Sequence, residues 1–168
     1  HAGLVTPRKG DKTSDHVEYL MAKGTARRKS IRHLLEDAQV GSAVEVTGWI
    51  KTSRFSKNVS FVHLYDGSST STVQIVFDGE PNPDLKANLT IGTAVRVQGA
   101  WVESPGGKQA MEILASNVEI VGSCDATSYP LQKKRTSFEH LRTIAHLRPR
   151  SNTHQSVIRV RNALAWNI

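Results

Sequence analysis

The sequence predicts an all-β core, five strands closed into a barrel, with a short leading helix, an extended basic linker and the start of a C-terminal helix. Three observations predict it. Apolar and polar residues alternate at period two through five stretches between residues 43 and 122. A proline-bounded segment, residues 81–89, separates the third stretch from the fourth. Helical spacing is confined to a segment before Gly41 and another after residue 152.

The elements follow in order. Residues 1–29, HAGLVTPRKGDKTSDHVEYLMAKGTARRK, hold no sustained period and few large apolar side chains, and read as an extended basic arm. Position 1 is His, which reads as a processed or engineered end. Asp11, Asp15 and Glu18 argue against a trimmed organelle presequence, because such segments are acid-poor. Ser30 is the expected N-cap of a short helix, IRHLLEDAQ, with Ile31, Leu34, Leu35 and Ala38 on one face and Gly41 as its stop.

In AVEVTGWIK, Val44, Val46, Gly48 and Ile50 alternate with Glu45, Thr47, Trp49 and Lys51. In NVSFVHLYDGS, Ser60, Val62 and Leu64 alternate with Phe61, His63 and Tyr65, and Asp66-Gly67 marks a turn. TVQIVFD sets Val73, Ile75 and Phe77 against Gln74 and Val76. Residues 81–89 are a short helix or loop. TAVRVQGAWVESPGG is a fourth strand ending at Pro105-Gly106-Gly107, and QAMEILASNVEIVG a fifth, broken near Ala115-Ser116. This order is that of an OB fold. An SH3-like barrel competes, but it seldom carries a helix between strands three and four. The expected units are the arm 1–29, the barrel domain 30–125, a linker over 126–152 with Pro130 and Pro149 interrupting any long helix, and a helix over 153–168. That helix carries Val157, Val160, Leu164 and Ile168 as an apolar stripe, the start of a further domain.

Composition narrows the class. Hydrophobic content is 38%, low for a fully compact chain. No apolar run approaches the roughly 20 residues that span a bilayer. A single cysteine, Cys124, excludes an internal disulfide and points to a reducing compartment; near a strand end it reads as a small filler rather than a nucleophile. Residues 34–125 hold eleven acids against six Lys/Arg, whereas 1–33 hold eight Lys/Arg against three acids and 126–168 eight against one. An acidic middle between two basic arms points to a polyanion gripped by the arms and read by a few placed residues.

The sequence shows no catalytic motif: no G-x-x-x-x-G-K, no H-E-x-x-H and no G-x-S-x-G. His63, His140, His146 and His154 are scattered, so neither a catalytic nor a metal site is expected. With Val62, Leu64, Val73 and Ile75 inward, Phe61, His63 and Gln74 face outward from neighbouring strands. A ring beside an amide can stack one unpaired base and read its edge. Arg54, at the end of strand one, can add a phosphate contact or a guanidinium stack. Glu112 on strand five faces outward if Met111 and Ile113 face inward, and its carboxylate can accept from an exocyclic amine. The competing reading is a Phe under a loop, a solvated Gln and a surface Arg and Glu.

Together VEVTGWIKTSR, SFVHLYDGS, VQIVFD, KQAMEILASNVEIVG and above all YPLQKKRTSFEHLRTIAHLRPRSNT with RVRNAL resemble the N-terminal anticodon-binding region of asparaginyl-tRNA synthetase, over about residues 30–168. The resemblance implies that Phe61 stacks on the middle anticodon base, that Gln74 reads its edge, and that Arg54 and Glu112 line the anticodon site. It implies asparagine tRNA as partner and a homodimer built through the C-terminal helix in the longer enzyme. It also implies that ATP and Mg belong to a catalytic domain beyond this chain, which itself needs no cofactor and cannot charge tRNA alone. The compartment it implies is cytoplasmic or mitochondrial, not secreted. Phe55 stands where the family commonly has Asp, removing an acceptor beside Arg54, and His154-Gln155 replaces an apolar-Gly pair. These departures also fit an alternative, a truncated synthetase-derived barrel repurposed as a structural or RNA-binding subunit with protein or rRNA partners in a large assembly.

Overall fold

The computed structural model describes residues 30–106, 109–134 and 136–168. The expectation for residues 1–29 lies outside the described residues. Helix α1 (Ile31–Asp37) precedes strands β1 (Ala43–Arg54), β2 (Val59–Tyr65) and β3 (Val73–Asp78). Helix α2 (Pro83–Asn88) follows, then β4 (Ala94–Glu103), β5 (Met111–Gly122), helix α3 (Phe138–Thr143), a 3-10 turn (Arg148–Arg150) and helix α4 (Asn152–Asn167). The strands form a closed barrel in the order β1-β2-β3-β5-β4. Four neighbouring pairs are antiparallel; β3 and β5 run parallel and complete the ring through Ile75↔Ile113 and Val76↔Leu114.

Alternation fills the interior as the sequence predicts. Val44, Val46, Ile50, Val62, Leu64, Val73, Ile75 and Phe77 are all buried in one core with Val95, Val97, Trp101, Ile113 and Val118. Two glycines let strands approach where a side chain could not fit. A Cβ at Gly48 would lie 2.5 Å from the Tyr65 carbonyl oxygen, and one at Gly99 would lie 2.2 Å from that of Leu114.

The helices close the barrel. In α1 the Ser30 hydroxyl accepts from the His33 N–H at 3.2 Å, as its N-cap role predicts. Ile31 and Leu34 enter the core, while Leu35, expected on the same face, is 44% exposed. The helix ends at Asp37, two residues short of the predicted end, and Gly41 at φ +81° shapes the turn after it. Asn82 caps α2 with Pro83 in its first turn, so the proline-bounded segment is helical; Leu85 and Leu89 plug the barrel beneath it.

Three features differ from the expectation. The break near Ala115-Ser116 is a bulge inside one continuous strand: Gln98 pairs with Asn117 and Gly99 with Ala115, leaving Ser116 unpaired. A second bulge leaves Lys51 unpaired between Ile50↔Leu64 and Thr52↔His63. The linker is not extended throughout. Ser137 caps α3, whose Leu141 is buried, and the segment folds back against the barrel. The Arg150 guanidinium sits 4.9 Å from the centre of the Trp49 ring, and its Nη1 donates to the Tyr129 hydroxyl at 3.3 Å. Helix α4 begins at Asn152, one residue early, and its first turns bind the β2–β3 turn. Gln155 Nε2 donates to the Ser69 carbonyl at 2.9 Å, and Arg159 Nη1 to those of Gly67 and Ser68 at 3.1 and 2.8 Å.

Candidate nucleic-acid interface

Register brings three of the four candidate residues to neighbouring positions on the outer barrel face. Antiparallel pairing sets Arg54 opposite Phe61 across β1–β2, Phe61 opposite Val76 and His63 opposite Gln74 across β2–β3. The diagonal from Phe61 to Gln74 is within reach of an aromatic side chain. The parallel pair Ile75↔Ile113 then fixes the fourth position. Gln74 and Glu112 each precede a member of that inward pair, so both point outward side by side.

They are bonded to each other. Gln74 Nε2 donates to Glu112 Oε2 at 3.0 Å, and Glu112 is only 7% exposed. The competing reading, a surface Glu and a solvated Gln, does not describe the structure: Glu112 is buried and engaged, and Gln74 is bonded to it. An ionised acceptor gives one of the stronger hydrogen bonds a side chain can make. It fixes which end of the Gln74 amide faces the carboxylate, leaving Oε1 and the second N–H to meet a base edge. Phe61 and Gln74 are both half-buried.

Arg54 is exposed at the end of β1 and, among the described residues, makes no hydrogen bond or ion pair. Its neighbour Phe55 is half-buried and packs against the core, with Lys86 Nζ 5.7 Å from the ring centre. The Phe that removes an acceptor beside Arg54 therefore adds apolar packing against the core and leaves the guanidinium without a carboxylate at the adjacent position.

His63 belongs to this face as well, and treating it as a scattered surface histidine understates it. It pairs with Gln74 in register, lies half-buried, and its Nδ1 is 3.4 Å from Thr72 Oγ1. Burial holds its pKa below the ordinary 6.5, and the charges of Lys133 and Lys51 add to that. The strand alternation that places Phe61 and Gln74 on the outer face marked His63 too; only the approach of the linker's Lys133 and the bulge residue Lys51 was invisible. Next to it Tyr65 is pushed up to about 12 by burial and by Tyr129.

His154 and Gln155, the other departure, are occupied within this chain. His154 Nδ1 is 3.1 Å from Ser151 Oγ, its ring meets Phe138 edge-on at 5.9 Å, and Gln155 reaches Ser69 as described. Among the described residues no cluster of His, Cys, Asp and Glu could hold a metal, and no helix is long and apolar enough to cross a membrane.

A family described as an OB-fold nucleic acid binding domain, tRNA_anti-codon, matches residues 26–121. The asparagine–tRNA ligase of Acetivibrio thermocellus is 50% identical over 131 residues, which cover 77% of this chain and 28% of that protein. That of Geobacter sulfurreducens is 48% identical over 139 residues, 82% of this chain and 30% of that protein. This chain thus spans less than a third of the curated relatives it matches. Among solved structures, asparaginyl-tRNA synthetase from Pyrococcus horikoshii complexed with asparaginyl-adenylate superposes with a TM-score of 0.69 at 20% identity, over 83% of this chain and 32% of that one. The Entamoeba histolytica enzyme gives 0.68 at 21%, over 84% and 33%. At such identity these two bear on the fold alone. The barrel, its outer face and the sequence matches converge: this chain belongs to the tRNA_anti-codon family of OB-fold nucleic acid binding domains, and is similar over most of its length to a part of asparagine–tRNA ligases.

Proposed function

We propose that the outer face of β2, β3 and β5 binds the anticodon loop of asparagine tRNA and reads its middle base. The observation that carries this is the Gln74–Glu112 bond beside Phe61. Phe61 offers a stacking surface, and the braced amide offers a donor and an acceptor in fixed order. Arg54, opposite Phe61, reaches a phosphate or stacks on the next base. In this reading the chain contributes recognition only. ATP, magnesium and aminoacylation belong to a longer enzyme working where tRNA is charged, in cytoplasm or organelle. The exposed Val157, Val160 and Leu164 of α4 would be covered there by a second copy.

The test is binding to two RNA hairpins at one salt concentration, one with a GUU loop and one differing only in the middle base. A preference of tenfold or more for GUU, about 1.4 kcal/mol, is the expected result. Equal affinities for the two hairpins would overturn the reading and favour a barrel kept for a structural task.

A further inference from the structure

Between the barrel and the folded-back linker lies an open cleft of about 680 Å³. Tyr65 and Phe138 are among its apolar walls, and Lys51, Lys133, Lys134 and Arg150 supply its charge. No acidic residue lines it among the described residues. Arg150 is occupied by Trp49 and Tyr129, so the lysines supply the available charge. Lys133 and Lys134 are exposed, and neither makes an ion pair among the described residues. Lys51 is placed there by a backbone irregularity. It is the unpaired residue of the β1 bulge, and bulges re-aim side chains. Its ammonium binds the Asn152 side-chain oxygen and lies 5.7 Å from the Tyr65 ring centre, with no carboxylate to neutralise it among the described residues.

This charge is continuous with the base-reading face. Thr52, next to Lys51 on the cleft wall, is the register partner of His63, and His63 is that of Gln74. From Phe61, then, neighbouring strand positions lead past Gln74 and His63 to Thr52 on the wall of the cleft. A polyanion whose base sits on Phe61 meets uncompensated lysines as its backbone leaves.

We propose that this cleft is a second RNA site, which takes the phosphodiester backbone of the strand flanking the read base. Lys133 and Lys134 supply sequence-independent attraction, and Lys51, held by the bulge and by Asn152, fixes where that strand enters. The inference rests on the anticodon reading for the identity of the RNA, but not for the existence of the site. Recognition is thereby divided: the barrel face selects, and the cleft holds whatever has been selected.

The experiment is a salt titration of the full chain against the GUU hairpin and its middle-base variant, with wild type, Lys133→Ala/Lys134→Ala and Lys133→Arg/Lys134→Arg. Thermal midpoints check that these exposed substitutions leave the fold unchanged. The alanine pair is expected to bind both hairpins more weakly by the same factor, tenfold or more at low salt. Its dependence of log affinity on log salt should flatten by about 1 per lysine. The middle-base preference should stay at its wild-type value, and the arginine pair should restore both affinity and slope. An unchanged slope in the alanine pair overturns the proposal and leaves the cleft to a partner other than nucleic acid. A wild type without base preference, whose slope still falls in the alanine pair, refutes the anticodon reading and upholds the cleft.

Discussion

On the proposed reading, Gln74 can select a base because Glu112 holds its amide in one orientation. A free glutamine amide samples both orientations and presents either a donor or an acceptor to a base; an amide tied to a buried carboxylate presents one order. Two substitutions separate reading from bracing. Gln74→Ala should lose about 1–3 kcal/mol of middle-base discrimination. Glu112→Gln, which keeps the shape but replaces a charge-assisted bond with a neutral one, should lose about 1 kcal/mol, both measured by hairpin competition. His63 offers a pH test. Its folded pKa is depressed, so the unfolded chain takes up the proton first. Stability should therefore fall as pH drops through the ordinary histidine value of 6.5, and His63→Gln should flatten that part of a urea-midpoint profile. Phe61 and Gln74 were legible in the sequence because strand alternation fixes which side a residue faces. Glu112's engagement was not. Its partner lies 38 residues away, across a parallel pair that no hairpin turn announces.

At the scale of elements, residues 81–89 fit helix and loop alike in sequence and the Asn82 cap decides for a helix, whereas the five strands and the leading helix could be found from periodicity and the Ser30 cap. The bulges could not. Ser116 looked like an interruption and Lys51 like an ordinary outward residue, because pairing register is a property of two strands and each was read singly. The same holds for tight approaches. Gly99 reads as an ordinary weak point in a strand, yet a Cβ there would meet Leu114 backbone at 2.2 Å and Ile113 Cγ2 at 2.8 Å. Backbone cannot give way without parting β4 from β5, so Gly99→Ala should destabilise the barrel by about 1–3 kcal/mol, read as a lowered urea midpoint.

At the scale of the whole molecule, segregated charge was visible from the composition, and it remains the reason to divide attraction from selection. What composition could not show is that the linker returns to the barrel. Polar, basic and proline-broken, it carries few apolar anchors, and the one that matters, Leu141, sits in a helix of six residues. Its attachment depends on unlike partners that meet only in three dimensions: Arg150 on Trp49, Asn152 with Lys51, and Arg159 and Gln155 on the β2–β3 turn. Trp49→Ala should release this arrangement. Hydrogen exchange over residues 126–152 should then quicken, while the amides of β2–β5 keep their protection.

The parallel seam between β3 and β5 has a consequence for how the chain acquires its selectivity. During synthesis the stacking ring and the amide emerge early, on β2 and β3, and the carboxylate that orients the amide emerges only with the last strand. If the barrel face reads an anticodon as proposed, a nascent barrel would attract RNA without discriminating among anticodons until the ring shuts. On the proposed reading, decoding competence would be gained in one step, at the moment of closure, and a lesion that leaves the seam ajar should yield a protein that still grips RNA but has lost its choice of sequence.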